Sequence, residues 1–390
     1  MNYLISTLHK LGIPFILEPV IIKDTYGKFP SNISICIHNG ELMESIRLTD
    51  YIYHPIHNND ICKYIVNKYP CNSITIIQSK DDKNIISPIK TQLNHPSFGQ
   101  FTGYEDIRLA SWNNILYSFG SLAGLPGGII EPTIIKYNDL QPKHITIFHT
   151  GNNEKNWMPI TDRPFQFMYD PLSCSIMDLS KSKFSSKPPD EYKVNIIKPH
   201  DFSGKISGST QLIPIEIDGQ KKYIGICHKR YQWLDEAKFQ HIHYEHYFIT
   251  YDEDLKEPIL SQPFQFIING IEFCCGLCEY NDNIIISFSI IDGLPHKLII
   301  PKNDFLNFLK TNTFSQIPIS DNFLKEHFGK IYKESSISQR IQCIPFIDSD
   351  IINPEDFIDE QNILPKGILR KILIDKYLKT SNIQKLKQII

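Results

Sequence analysis

The chain of 390 residues is long enough for one large or two ordinary domains, and at 41% hydrophobic and 12% aromatic residues it can fill a core. Its formal net charge of −3 gives no global basic excess, which argues against nucleic acid or an anionic membrane surface as the main partner. No run approaches the roughly 18 uninterrupted apolar residues of a membrane-spanning helix. Nine cysteines, an odd number without a secretory leader, point to a reducing compartment: the cytoplasm, or the host cytoplasm or virion if the source is viral.

The N-terminal MNYLISTLHKLGIPFILEPV is interrupted by Lys10 and Glu18 and is followed by no small-residue cleavage site, so it reads as mature protein. The abundance of Ile, Asn and Lys speaks to an AT-rich source and little to activity. From about residue 30 to 301 the chain is dominated by short β-type runs, around 34–38, 73–79, 114–121, 133–138, 144–150, 165–170 and 193–197, then 210–217, 222–228, 247–252, 264–268, 273–280, 283–291 and 296–301. They are rich in β-branched and aromatic residues and are separated by hairpin-type turns such as IDGQ, YDED and YNDN. The stretch 181–190, KSKFSSKPPD, reads as an exposed loop.

Many short strands with tight turns mean a barrel, a sandwich or a propeller. A recurring plan decides among these: a polar motif, a strand, a turn, a strand, then an Asp- or Asn-rich turn. It starts near Pro30, Gly103, Glu154, Gly208 and Glu272, and each spacing suits one four-stranded blade. The expectation is an all-β fold, a five-bladed β-propeller over residues 1–302, with a β-sandwich carrying decorated loops as the alternative. Residues 303–390 form a helical C-terminal extension, with helical spacing at 303–312, 321–335 and 367–390. It would pack on the propeller rim or mediate a homo-oligomer.

Polar clusters open each repeat, where propellers place the residues lining their central channel. FPSNISICIHNGELMESIRL carries Asn32 and Arg47, and EKNWMP carries Lys155 and Trp157. GSTQLIP is followed by GICHKRY with His228, Arg230 and Tyr231. YEHYF begins with Tyr244, IEFCCGL contains Glu272, and FSIIDG contains Asp292. The least core-like is GYEDIRL, residues 103–109, which places two carboxylates and a guanidinium in one strand. By strict alternation Asp106 and Arg108 share a face and Glu105 takes the opposite one. They are read either as a site or as an ion pair on one strand face.

GYEDIRL resembles the Glu-Asp-Pro-Arg segment of the five-bladed propeller enzymes of glycoside hydrolase family 130 and of the related mannosyltransferases and phosphorylases of glycosyltransferase family 108. FPSN with Arg47 is similar to that family's early Asn and Arg, EKNWMP to its mid-chain basic segment, GICHKR to its histidine-bearing strand and FSIIDG to its late strand ending in aspartate. The likeness spans about residues 28–301. Two positions depart: Ile107 stands for the proline, and CHK for a Tyr-His-Gly triplet. The series from GSTQLIP to IEFCCGL looks more like propeller segments found beside bacterial glycosyltransferases, which favours sugar transfer over breakdown.

The resemblance implies that Asp106 is the general acid or base, that Arg47 and Lys155 lie near phosphate, and that mannose is the glycosyl unit. On their own chemistry, Arg47, Arg108, Lys155 and Arg230 suit a phosphate pocket. Asn32, Tyr104, Glu105, His228, Tyr244, Glu272 and Asp292 are candidates for sugar hydroxyls, with His228 also able to reach phosphate. Tyr104, Trp157 and Tyr231 are candidates for stacking on sugar rings. The partners are a sugar phosphate or nucleotide-sugar donor and a glycan acceptor. No cofactor is expected. No metal is expected either: in HIHYEH, His241 and His243 share one strand face and His246 the other. CCGLC at 274–278 lacks a second pair at zinc spacing and reads as buried strand residues. Two rivals are a hydrolase on the same scaffold and a non-catalytic glycan-binding propeller.

Overall fold

The computed structural model describes residues 1–55, 61–65, 71–79, 83–86, 101–123, 130–149, 155–179, 190–193, 205–234, 240–352 and 372–373. They form a five-bladed β-propeller. Blade one runs outward through Phe29–His38, Glu41–Thr49, Ile74–Gln78 and Lys83–Ile86. Blade two follows with Phe101–Trp112, Ile115–Ala123, Glu131–Asn138 and Gln141–His149, and blade three with Met158–Pro159, Gln166–Asp170 and Ser175–Asp178. In blade four, Ile206–Gly208 and Ile213–Ile217 both pair with the long strand Gln220–Leu234, which continues to Gln240–Tyr251 and Ile259–Leu260. Blade five, Glu272–Tyr280, Asn283–Ile290 and Gly293–Pro301, takes its fourth strand, Ile16–Pro19, from the N-terminus, so the two ends of the propeller close the ring together.

The inner strands are tied across the axis by buried polar side chains. Gln211 of blade four donates to the Ile35 carbonyl of blade one at 2.6 Å and accepts from the Leu277 amide of blade five at 3.3 Å. Ser34 donates to the Cys275 carbonyl and accepts from the Leu109 amide, joining blades one, five and two. These groups satisfy backbone atoms that no strand neighbour reaches. Blades one and five approach closely at Gly276, where a Cβ would stand 2.6 Å from the Ile35 nitrogen. Cys274, Cys275 and Cys278 are buried in this inner strand.

Two features differ from the sequence reading, and three expected elements lie largely outside the described residues. The N-terminus holds a helix, Leu4–Lys10, as well as the closing strand. The stretch 264–268 is a bend with only isolated bridges, because its amides turn toward a buried carboxylate described below. The expected strand at 193–197 lies outside the described residues except for Lys193, as do the loop at 181–190 except Asp190 and the helix at 367–390 except 372–373.

The C-terminal helices Lys302–Thr311 and Asp321–Glu334, the latter capped by Ser320, bury Phe305, Phe308, Phe328 and Ile331. These join Leu4, Ile5, Phe248 and Phe264 in one apolar core shared with blades four and five. Next along the chain, Ile337–Cys343 lays Gln342 on the Pro30 carbonyl at 2.8 Å, beside the Asp292–Gly293 turn. Among the described residues, no helix is long and apolar enough to cross a membrane.

Candidate active site

The strand carrying GYEDIRL is not regular. Arg108 stands opposite Phe119, but Glu105 stands opposite Ser121, so Asp106 and Ile107 share the single partner Gly120. This is a β-bulge. Asp106 takes φ 50, a left-handed conformation that Asp and Asn tolerate better than most residues. Gly120 permits it, since a Cβ there would meet the Glu105 carbonyl oxygen at 2.6 Å. The bulge overturns the expected alternation: Glu105 and Asp106 line the same cavity, and Arg108 turns away from it.

Two adjoining lobes open where the inner strands begin. The first, about 200 Å³, is lined by three carboxylates, Glu105, Asp106 and Asp292, with Asn32, Arg47 and Tyr51. The second, about 250 Å³, is lined by Lys205, Ser207, Gly208, His228 and Tyr169; among the described residues no carboxylate lines it, though Asp170 Oδ2 lies 3.3 Å from Lys205 Nζ. Lys155, Arg230, Tyr244 and Phe273 line both.

Asp106 is almost buried, at 8% exposure. Its Oδ1 accepts from Asn32 Nδ2 at 3.2 Å, and Ser289 donates to Asn32 Oδ1 at 2.6 Å, which fixes the amide's orientation. Its Oδ2 lies 3.7 Å from Lys155 Nζ. Burial pushes the Asp106 carboxyl up, but Lys155, Arg47 and Arg108 outweigh it and hold it below its ordinary value. Asp106 is therefore a carboxylate at neutral pH.

Arg47 lies in the carboxylate lobe rather than the basic one. It donates to Glu105 at 2.6 Å and to Ser73 at 3.3 Å, and its guanidinium sits 5.8 Å from the centre of the Tyr51 ring. Burial opposes its charge, but Glu105, Tyr51, Asp292 and Asp106 together more than compensate, and its pKa is raised. His228 lines the basic lobe, 2.7 Å from Ser209 Oγ and packed on Tyr244 and Phe273. Burial first, then His246, Arg108 and Lys155, hold it well below its ordinary value, so the imidazole is neutral.

Several expected positions fall outside the lobes. Arg108, expected at phosphate, has its guanidinium committed to protein: Nε donates to the Ser209 carbonyl at 2.7 Å, Nη1 to the Asp106 carbonyl at 2.5 Å, and Nη2 to Asn156 Oδ1 and the Gly208 carbonyl. Tyr104, expected at sugar, is buried with its hydroxyl against the Ser118 and Thr133 carbonyls. Tyr231 is bonded to Glu245, and Trp157 packs among Phe148, Phe167 and Tyr169.

Glu272 is fully buried and accepts from the amides of Phe266, Ile267 and Ile268 at 2.6, 2.8 and 2.8 Å, which folds the bend at 264–268. Burial pushes its carboxyl up to about 7 against the pull of those amides. Glu272→Gln would set an NH₂ group against one backbone donor, so it is expected to destabilise the chain by about 1–3 kcal/mol in denaturant unfolding. A sugar ligand at this position would instead show unchanged stability and weakened ligand binding.

The sequence reading missed Lys205, Ser207, Tyr169 and Tyr51. Lys205 had a signal: it precedes the inner strand of blade four as Lys155 precedes that of blade three. Tyr51 had none, since it opens a hairpin, Tyr51–Pro55 with Ile61–Ile65, that leaves blade one between its second and third strands.

A five-bladed propeller whose inner strands open on two adjoining lobes, one of mixed charge with three carboxylates and one basic, is the class of molecule defined here. Among solved structures it is similar to a mannose phosphorylase of Leishmania mexicana in complex with a phosphate ion, at 13% identity over 80% of this chain and 96% of the other, TM-score 0.47. It is also similar to a GDP-Man-dependent mannosyltransferase of the same organism, at 13% identity over 80% and 98%, TM-score 0.46. A β-1,2-mannobiose phosphorylase of Listeria innocua gives 12% identity over 76% and 97%, TM-score 0.41. No protein-family profile and no curated sequence matches the chain.

Proposed function

We propose that this chain transfers a glycosyl unit, mannose by the resemblance of its motifs, between phosphate or a phosphate-activated donor and a glycan acceptor. The observation that carries this reading is a pair of adjoining lobes that share Lys155 and Arg230, one also lined by the carboxylates Glu105, Asp106 and Asp292 and the other by Lys205 and His228, with Lys155 3.7 Å from Asp106. Lys155, Lys205 and Arg230 hold the phosphate beside the neutral His228, and Asn32, Arg47, Glu105, Tyr244 and Asp292 receive sugar hydroxyls.

In transfer, the bond from the anomeric carbon to the phosphate oxygen breaks and phosphate leaves with the electron pair. The basic lobe stabilises that charge without rearranging. The acceptor oxygen bonds to the anomeric carbon and its proton passes to Asp106 Oδ2. A hydrolase would need a second carboxylate to activate water. Glu105 is bonded to Arg47, and Asp292, which lines the same lobe, is the residue that rival would use.

The test is a panel of sugar 1-phosphates and nucleotide sugars, mannose forms first, each incubated with oligosaccharide acceptors while phosphate or nucleotide release is followed. Turnover with one donor is expected, with KM raised about tenfold in Lys205→Ala, since a charge-assisted contact contributes about 1.5–3 kcal/mol. Sugar release from a glycoside in phosphate-free buffer would establish the hydrolase instead. No turnover with any donor or glycoside would overturn the enzyme reading.

A further inference from the structure

We propose that Lys155 is shared between Asp106 and the anion that fills the basic lobe, so that anion binding and proton uptake at Asp106 Oδ2 are one linked event. The inference rests on the reading of the basic lobe as a phosphate site and adds how that site controls the acid–base residue.

The geometry is specific about which oxygen and which cation are involved. Oδ1 of Asp106 is held by Asn32, itself locked by Ser289, so Oδ2 is the oxygen open to a proton. Lys155 Nζ is 3.7 Å from Oδ2, lines both lobes, and keeps 42% of its side chain exposed. Around Asp106 stand Arg47 from blade one, Glu105 and Arg108 from its own strand, His228 and Arg230 from blade four, and Asp292 and Cys275 from blade five. Arg47 is bonded to Glu105, and Arg108 to carbonyls and Asn156. Lys155 is thus a cation that is both 3.7 Å from Oδ2 and placed to turn toward the basic lobe.

With the lobe empty, Lys155 favours the ionised carboxylate. An anion in the lobe draws Lys155 away and adds its own negative charge, and both effects favour the protonated form. Linkage makes the relation reciprocal: ionised Asp106 weakens anion binding by the same factor. Phosphorolysis then balances. Asp106 Oδ2 gives its proton to the leaving glycosidic oxygen as a phosphate oxygen bonds to the anomeric carbon. The phosphate dianion becomes an ester monoanion while Asp106 regains its charge.

The probe is inorganic sulfate, which stays a dianion from neutral pH down to about pH 3 and so spans the range in which Asp106 titrates, titrated calorimetrically into the full chain in two buffers of different ionisation heat. Wild type is expected to take up a fraction of a proton per sulfate at acidic pH and to bind more weakly as pH rises. Asp106→Asn should take up none and bind about tenfold tighter at neutral pH, one decade being about one unit of carboxyl pKa. In a Lys155→Met background that gain should shrink to about twofold, because only direct repulsion between carboxylate and anion remains. Uptake that persists in Asp106→Asn would place the proton on His228 and overturn the inference. An equal gain with and without Lys155 would overturn it as well. Sulfate binding with no linkage leaves the phosphate lobe standing, whereas no sulfate binding removes both.

Discussion

Asp106→Asn is expected to lower turnover by about 10²- to 10⁴-fold, the range for losing a positioned proton-transfer group, with the unfolding midpoint nearly unchanged. Asparagine is the right substitution for physical reasons. It accepts the φ of 50 at the bulge, and its Oδ1 still receives the hydrogen bond from Asn32. What it cannot do is take or give the proton at the other position. Alanine would confound the result, since a left-handed backbone strains it by about 1–2 kcal/mol. The pH dependence has a definite sign. Lys155, Arg47 and Arg108 outweigh burial and hold the Asp106 carboxyl below its ordinary value, so transfer by the free carboxylate is lost only as pH falls through that lowered value. The acid limb of kcat/KM should lie below the usual carboxylate range in wild type and vanish in Asp106→Asn. Wild-type turnover in the variant would remove Asp106 from the chemistry and leave the two lobes as a binding site.

What could be read from the sequence follows from which physical signals are local. Strand period and turn residues are local, so the propeller and its five repeats were visible from Pro30 to Glu272, and the polar clusters marked the inner strands. The bulge was not visible, because the partner that permits it, Gly120, lies across the hairpin. An assumed period of two therefore sent Glu105 to the wrong face and gave Arg108 a place in the site. Glu272 shows a second limit. A carboxylate at the start of an inner strand looks the same in sequence whether it faces a ligand or gathers three amides, and only the bend at 264–268 separates the cases. The basic lobe was half visible, since Lys155, His228 and Arg230 sat in recognisable motifs while Lys205 preceded one.

Arg108 separates a phosphate contact from a structural tie, and Arg108→Lys is expected to behave as loss of the tie. Its guanidinium joins the Asp106 carbonyl of blade two, Asn156 ahead of blade three, and the Gly208 and Ser209 carbonyls of blade four, with the residue only 1% exposed. A guanidinium presents five donors in a planar fork, whereas an ammonium presents three from one point. Lysine therefore cannot reach all four acceptors, and the ones it leaves are buried. Each abandoned partner of a charged donor is worth about 1–3 kcal/mol, so the total loss should be about 3–5 kcal/mol, read as a lower midpoint in denaturant at unchanged m. Turnover should fall as well, because the same side chain holds the backbone of Asp106 and of Ser209, which in turn contacts His228. If Arg108 instead bound phosphate directly, Arg108→Lys would keep the wild-type midpoint and weaken sulfate binding alone, so unfolding and sulfate titration of one variant decide between the two.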